Sequence, residues 1–169
     1  PPYSAEQTDR MSQLIGRQAK HMSKLVEDLL DVSRISRGLV AIQKSPVDMR
    51  DVVSAAVEQA TPVAVGKRQR VDVSLPDAAC TVFGDRTRLI QVVSNIVGNA
   101  LRYTPEGGHI AVSLESSGAT VLLKVVDNGI GIAAELIPTL FDLYVQAESD
   151  THSKGGLGLG LALAKSLVE

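Results

Sequence analysis

Asp85-Arg86-Thr87-Arg88-Leu89-Ile90-Gln91-Val92-Val93-Ser94-Asn95-Ile96-Val97-Gly98-Asn99-Ala100-Leu101-Arg102-Tyr103 is the stretch that decides the fold. Asp85 can cap a helix, and Thr104-Pro105-Glu106-Gly107-Gly108 forms a turn that ends it. Steps of three and four return to one helical face. Arg88, Gln91, Asn95, Asn99 and Arg102 fall on such a stripe, with Leu89, Val93, Ile96, Val97, Ala100 and Leu101 opposite. The polar stripe reads either as a solvated surface or as a ligand face. Solvated stripes favour Glu and Lys, which are better helix formers than Asn. Two asparagines four apart present two neutral amides in one direction. An amide oxygen is a hard ligand suited to Mg²⁺, which keeps several waters and also binds substrate phosphates.

Outward from this helix, the texture alternates. Upstream, Leu39 to Gln43 reads as a short strand, and Asp48 caps a helix running through Val52, Val53, Ala56 and Val57 toward Thr61-Pro62. Val71 to Leu75 alternates with period two, and Cys80 to Phe83 is another short strand. Downstream, Ile110 to Leu114 and Val121 to Val126 are strands joined across Ser116-Ser117-Gly118, a hairpin signal. A short helix and an aromatic spot, Phe141 and Tyr144, follow; Gln146 to Gly155 is polar, and Gly156 to Gly160 opens a last helix. Helices and mostly antiparallel strands in this order predict an α+β fold, a two-layer α/β sandwich.

Residues 4–37 read as one long helix. Ser4-Ala5-Glu6-Gln7 has capping-box form, and Gly38 is placed to end the helix. Ile15, Gln18, Met22, Leu25, Leu29, Val32 and Ser36 recur as a heptad seam. At about 34 residues the helix is roughly 50 Å long. A domain of this size cannot bury it along its length, so it should pack against another helix, one expected outside this sequence.

Composition bounds the function. With 17 Lys and Arg against 19 Asp and Glu, the chain lacks the basic excess that a nucleic-acid binder needs to neutralise phosphates. One cysteine, Cys80, cannot form an internal disulfide, which fits a reducing compartment. No stretch approaches the run of about 18 apolar residues of a membrane span, so no membrane contact is expected from these residues.

Two glycine clusters add chemistry. In Val125-Val126-Asp127-Asn128-Gly129-Ile130-Gly131, an acid ends an apolar strand ahead of Gly-x-Gly. Asp127 could serve a simple turn by bonding local amides. Alternatively its carboxylate could accept the exocyclic amine of adenine, where the oxygen of guanine would be repelled. Gly156-Leu157-Gly158-Leu159-Gly160 before a helix is either a flexible hinge or an anion site at a helix N-terminus. The P-loop pattern Gly-x-x-x-x-Gly-Lys-Ser/Thr does not occur. Gly-x-Gly-x-x-Gly fails because Leu161 and Leu163 sit where the third glycine could fall.

Taken in order, these three motifs resemble the catalytic, ATP-binding domain of sensor histidine kinases, within the GHKL ATPase superfamily. Ser94 to Pro105 is similar to the N-box, Asp127 to Gly131 to the first glycine box, Leu140-Phe141-Asp142 to the F-box and Gly156 to Gly160 to the second glycine box. Leu25 to Arg34 resembles the second helix of the dimerisation and phosphotransfer hairpin, and Leu140 to Leu161 is most similar to versions in hybrid kinases. The resemblance implies a Bergerat-type ATP-binding fold over residues 39–169, truncated at its C-terminus, preceded by a hairpin helix over residues 1–38. It implies ATP and Mg²⁺ as cofactors, a response regulator receiver domain as partner, homodimerisation through the hairpin, and a cytoplasmic setting.

Carried over by residue, the resemblance assigns Asn99 to Mg²⁺, Asn95 to the phosphate and metal region, Arg102 to phosphate and Tyr103 to the nucleoside. Asp127 would read adenine, with Gly129 and Gly131 beside it. Residues 142–155 would form a lid, Lys154 would be a phosphate cation, and Gly156, Gly158 and Gly160 would meet phosphates. Asn95, Arg102 and Lys154 would be the catalytic set. His152 stands where close relatives often carry Arg, and a neutral imidazole would contribute less to closing the lid.

Superfamily members that hydrolyse ATP carry Glu at the position of Asn95, and an amide is a far poorer base. The expected chemistry is therefore phosphoryl transfer by positioning and charge neutralisation. The family's phosphoacceptor is a His followed by an acid. Here His21, His109 and His152 precede Met22, Ile110 and Ser153, so none fits. The chain reads as a fragment that begins after the acceptor helix and ends inside the last one. The alternatives are a non-catalytic ATP-sensing and dimerisation module, and a hydrolytic ATPase.

Overall fold

The computed structural model describes residues 4–36, 42–145 and 158–168. Helix α1 spans Ala5–Ser36. Its capping box is formed: the Ser4 N–H donates to Gln7 Oε1 at 2.9 Å, and the Gln7 N–H to Ser4 Oγ at 3.2 Å. Along the expected seam Ile15, Met22 and Leu29 are exposed, so at these described positions the stripe is not covered.

Strand β1 (Ser45–Asp48) leads into α2 (Met49–Gly66), capped by Asp48, whose side chain accepts from the Arg50 N–H. Strand β2 (Arg70–Ser74), strand β3 (Thr81–Gly84) and helix α3 (Arg86–Tyr103) follow. Asp85 caps α3 by accepting from the Thr87 and Arg88 amides. Strands β4 (His109–Ser117) and β5 (Thr120–Asp127) form the hairpin, with Gly118 turning at φ +59°. A 3₁₀ turn covers Ala134–Thr139, and α4 runs Gly160–Val168.

The strands form two sheets. β1 pairs antiparallel with β3, and the second sheet has the order β2-β4-β5. The hairpin is antiparallel, but β2 pairs parallel with β4, with Arg70 opposite His109 and Ser74 opposite Ser113. A parallel pair needs a crossover, here supplied by β3 and α3. Helices α2 and α3 close over the sheet and bury one aliphatic core. Val52, Val53 and Ala56 from α2 meet Val93, Val97 and Leu101 from α3 and Ile110, Val112 and Leu114 from β4. The layered α+β architecture is as the order of elements implied.

Two local expectations are corrected. The first strand is Ser45–Asp48 rather than Leu39 to Gln43: Ile42 and Gln43 are not in a strand, and 39–41 lie outside the described residues. Register explains the choice, since only Val47 of this segment is carried into the core, opposite Val82. Helix α2 does not stop at Thr61-Pro62 but runs through Pro62 to Gly66. Glu58, Thr61 and Pro62 are all exposed, so the carbonyl that loses its proline-side donor faces water. Among the described residues no helix is long and apolar enough to cross a membrane.

Candidate functional site

The polar stripe of α3 is neither wholly solvated nor wholly a ligand face; it is divided among three neighbours. At the N-terminal end, Arg88 Nη1 donates to Asp31 Oδ2 of α1 at 2.6 Å and to Gln91 Oε1 at 2.8 Å. Gln91 Nε2 donates to the same Asp31 oxygen at 3.0 Å. In the middle, Asn95 Nδ2 donates to the Gly160 carbonyl, where α4 begins, at 3.1 Å. At the C-terminal end, Asn99, Arg102 and Tyr103 open onto a cavity of about 290 Å³.

Asp127, Gly131, Gly158 and Gly160 line this same cavity, so three distant segments converge on one hollow. Its walls are mostly apolar, as in most small-molecule sites. Ile130, Ile132, Leu136, Leu140 and Val145 supply them; sequence reasoning gave none of the five a binding role, although Ile130 and Leu140 fall within the first glycine box and the F-box.

Asp127 ends β5, and its Oδ1 accepts from the Gly129 N–H at 2.9 Å. The local turn reading is therefore correct for that oxygen, and the carboxylate still borders the cavity. Gly129 has a strict steric reason: a Cβ there would lie 2.5 Å from the Tyr103 carbonyl oxygen. The same oxygen accepts the Ile130 N–H at 3.2 Å, tying the glycine turn to the end of α3. The Arg102 guanidinium lies 5.1 Å from the centre of the Tyr103 ring, within cation–π range.

On the far side, Gly158 has φ +70°, and a Cβ would sit 2.6 Å from the Val145 carbonyl oxygen. Its own carbonyl accepts the Tyr144 N–H at 3.3 Å, and Tyr144 itself is left-handed at φ +68°. Lys154 and Gly156, and with them His152, fall outside the described residues. Among the described residues no group of three His, Cys, Asp or Glu side chains could cage a metal. Among the described residues lining the cavity, Asn99 is the one with a side-chain amide, a hard ligand that suits a cation taking its remaining ligands from water and phosphate.

Comparison with known proteins agrees with this geometry. Residues 84–169 match the family described as histidine kinase-, DNA gyrase B-, and HSP90-like ATPase. The chain is 36% identical over 149 residues to the signal transduction histidine-protein kinase BaeS of Escherichia coli (strain K12), covering 88% of this chain and 32% of that protein. It is 40% identical over 152 residues to the sensor protein KdpD of Rathayibacter rathayi, covering 90% and 17%. It spans a third or less of the length of these two relatives. The crystal structure of full-length ShkA in complex with AMPPNP superposes with a TM-score of 0.79 at 28% identity, covering 97% of this chain and 34% of that one. With its relatives among the sensor histidine kinases and its motifs around one hollow, the chain belongs to the histidine kinase-, DNA gyrase B-, and HSP90-like ATPase family.

Proposed function

We propose that the cavity binds ATP with Mg²⁺ and presents the γ-phosphoryl group for transfer to a histidine outside this chain. The observation that carries the reading is the convergence of Asn99, Asp127 and Gly158 on one hollow. Asp127 selects adenine by accepting its exocyclic amine. Arg102 offers a guanidinium to phosphate, Tyr103 flanks the nucleoside, and Asn99 offers its amide oxygen to the metal. Gly129, Gly131, Gly158 and Gly160 keep backbone close on both sides, and Lys154 and Gly156 complete the phosphate contacts. When bound, ATP supplies the phosphoryl group and Mg²⁺ neutralises its charge.

Asn95 sits beside this site with its Nδ2 donating to the Gly160 carbonyl, which leaves its amide oxygen as an acceptor. An amide is no general base, and this favours transfer over hydrolysis. On this reading residues 39–169 form the ATP-binding domain and residues 1–38 belong to a dimerising hairpin. The phosphoryl group would pass on to an aspartate of a response regulator in the cytoplasm.

Calorimetric titration with Mg²⁺ and AMPPNP tests the site: saturable binding is expected, and its absence would refute the reading. Radiolabelled ATP should leave no acid-labile phosphate on this chain alone and should label an added acceptor hairpin. A dead mixture with an intact hairpin would point instead to an ATP-sensing module.

A further inference from the structure

The last four carbonyls of a helix have no intrahelical donor, and something else must satisfy them. At the end of α3 the supply comes from two side chains more than 30 residues upstream. Lys67 Nζ donates to the carbonyls of Leu101 at 2.6 Å, Arg102 at 3.0 Å and Thr104 at 3.4 Å. Gln69 Nε2 donates to Leu101 at 3.0 Å, Thr104 at 2.6 Å and Pro105 at 3.3 Å. Between them Arg68 takes a left-handed turn, φ +52°, which a non-glycine residue adopts only at a conformational cost.

The grip is specific. Lys67 places a positive charge at the negative end of the α3 dipole. Gln69 is buried, and facing carbonyls fixes its NH₂ side inward, because its oxygen would be repelled there. Its Oε1 is consequently buried without a partner. An acceptor left unpaired in this way is a cost that the grip must offset.

What the grip holds is the turn of α3 that faces the cavity. Arg102 and Tyr103 lie on it, and Asn99 is one turn earlier. Of the two remaining carbonyls, that of Ala100 accepts the Thr104 N–H and that of Tyr103 accepts the Ile130 N–H of the Asp127 turn. We infer that Lys67 and Gln69 are positioning residues for nucleotide binding: they hold the end of α3 so that Asn99, Arg102 and Tyr103 keep their register against Asp127 and Gly131. This rests on the ATP reading above.

The test compares Lys67→Met, Lys67→Arg and Gln69→Met with Val53→Ala, a core truncation in α2 that destabilises without touching the cavity. Affinity for Mg²⁺-AMPPNP is measured well below each melting temperature, and exchange of the Ile130 and Thr104 amides is followed by NMR. Lys67→Met should weaken binding about tenfold, the equivalent of one charge-assisted hydrogen bond, and speed exchange at both amides. Lys67→Arg should restore most of both, and Val53→Ala should lower the melting temperature while leaving affinity unchanged. If Lys67→Met fails to fold, Gln69→Met carries the same two readouts. Folded variants with wild-type affinity and wild-type exchange would overturn the assignment, as would an equal loss of affinity in Val53→Ala. Should the wild type bind no nucleotide, the ATP reading fails. Faster exchange at Ile130 in the Lys67 variant would then still uphold the grip itself, and unchanged exchange would overturn it as well.

Discussion

Asn95 Nδ2 donates to the carbonyl of Gly160 at 3.1 Å across 65 residues of sequence, and this bond joins the middle of α3 to the first residue of α4. Asn95→Ala should therefore lower stability by about 1 kcal/mol through the lost hydrogen bond. Asn95→Asp should cost more, because a carboxylate would face the Gly160 carbonyl. Urea denaturation of the three proteins checks the order.

Asp127→Asn should weaken ATP binding by about tenfold or more. Gly129 decides the sign. Its N–H holds Oδ1, so in the variant the amide oxygen stays there and the NH₂ group takes the other position. That group would oppose the adenine amine and tolerate the guanine oxygen. Titration with ATP and GTP should show the preference between them shrinking or reversing, with little change in melting temperature.

Gly158→Ala combines a left-handed backbone with a Cβ 2.6 Å from the Val145 oxygen. The conformational part alone costs about 1–2 kcal/mol. Displacing Val145 would also disturb a wall of the cavity. Both the melting temperature and the nucleotide affinity should fall, measured by scanning fluorimetry with and without AMPPNP.

Arg88→Ala should loosen α1 without affecting the cavity. The Arg88–Asp31 pair is mostly shielded, with side-chain exposures of 26% and 16%, so it is more than a screened surface contact. Amide exchange in the C-terminal half of α1 should rise, while AMPPNP affinity stays within about twofold, as expected when distant sites act independently.

Acid stability should depend on Asp48. The Arg50 side chain donates to both of its oxygens and the Arg50 and Cys80 amides add to this, holding the carboxyl at about 2 rather than its ordinary 3.8. A depressed folded value means that the contribution is complete above 3.8 and is lost as pH falls toward about 2. Asp48→Asn can still cap α2 but does not titrate. Its stability should fall less steeply than that of wild type across this window, as followed by urea unfolding at stepped pH.

Much of the site was legible because its chemistry is local in sequence. Asn99 on its helical stripe, the acid before Gly-x-Gly and the glycines before the last helix each carry a signal within about two helical turns, and Asn99, Asp127 and Gly158 border the hollow, whereas Asn95 is tied to Gly160 instead. Caps read well for the same reason: Ser4, Asp48 and Asp85 all do what their positions imply. Long-range choices did not read. Nothing near Val71 states that β2 will lie parallel to β4, since that depends on the path of α3. Lys67 and Gln69 carry no local signal of their role, because their partners are the carbonyls of another element. Pro62 looked like a stop, and only its exposure in the folded chain allows the helix to continue.

The threefold division of the α3 stripe has a consequence for how this segment can change over time. Inserting or deleting one residue between Gln91 and Asn99 would rotate everything downstream by about 100° relative to everything upstream. Asp31, Gly160 and the cavity could then no longer be addressed together. Side chains along the helix can drift, but its length between those two positions is locked, and gaps in this segment should be absent from any working descendant.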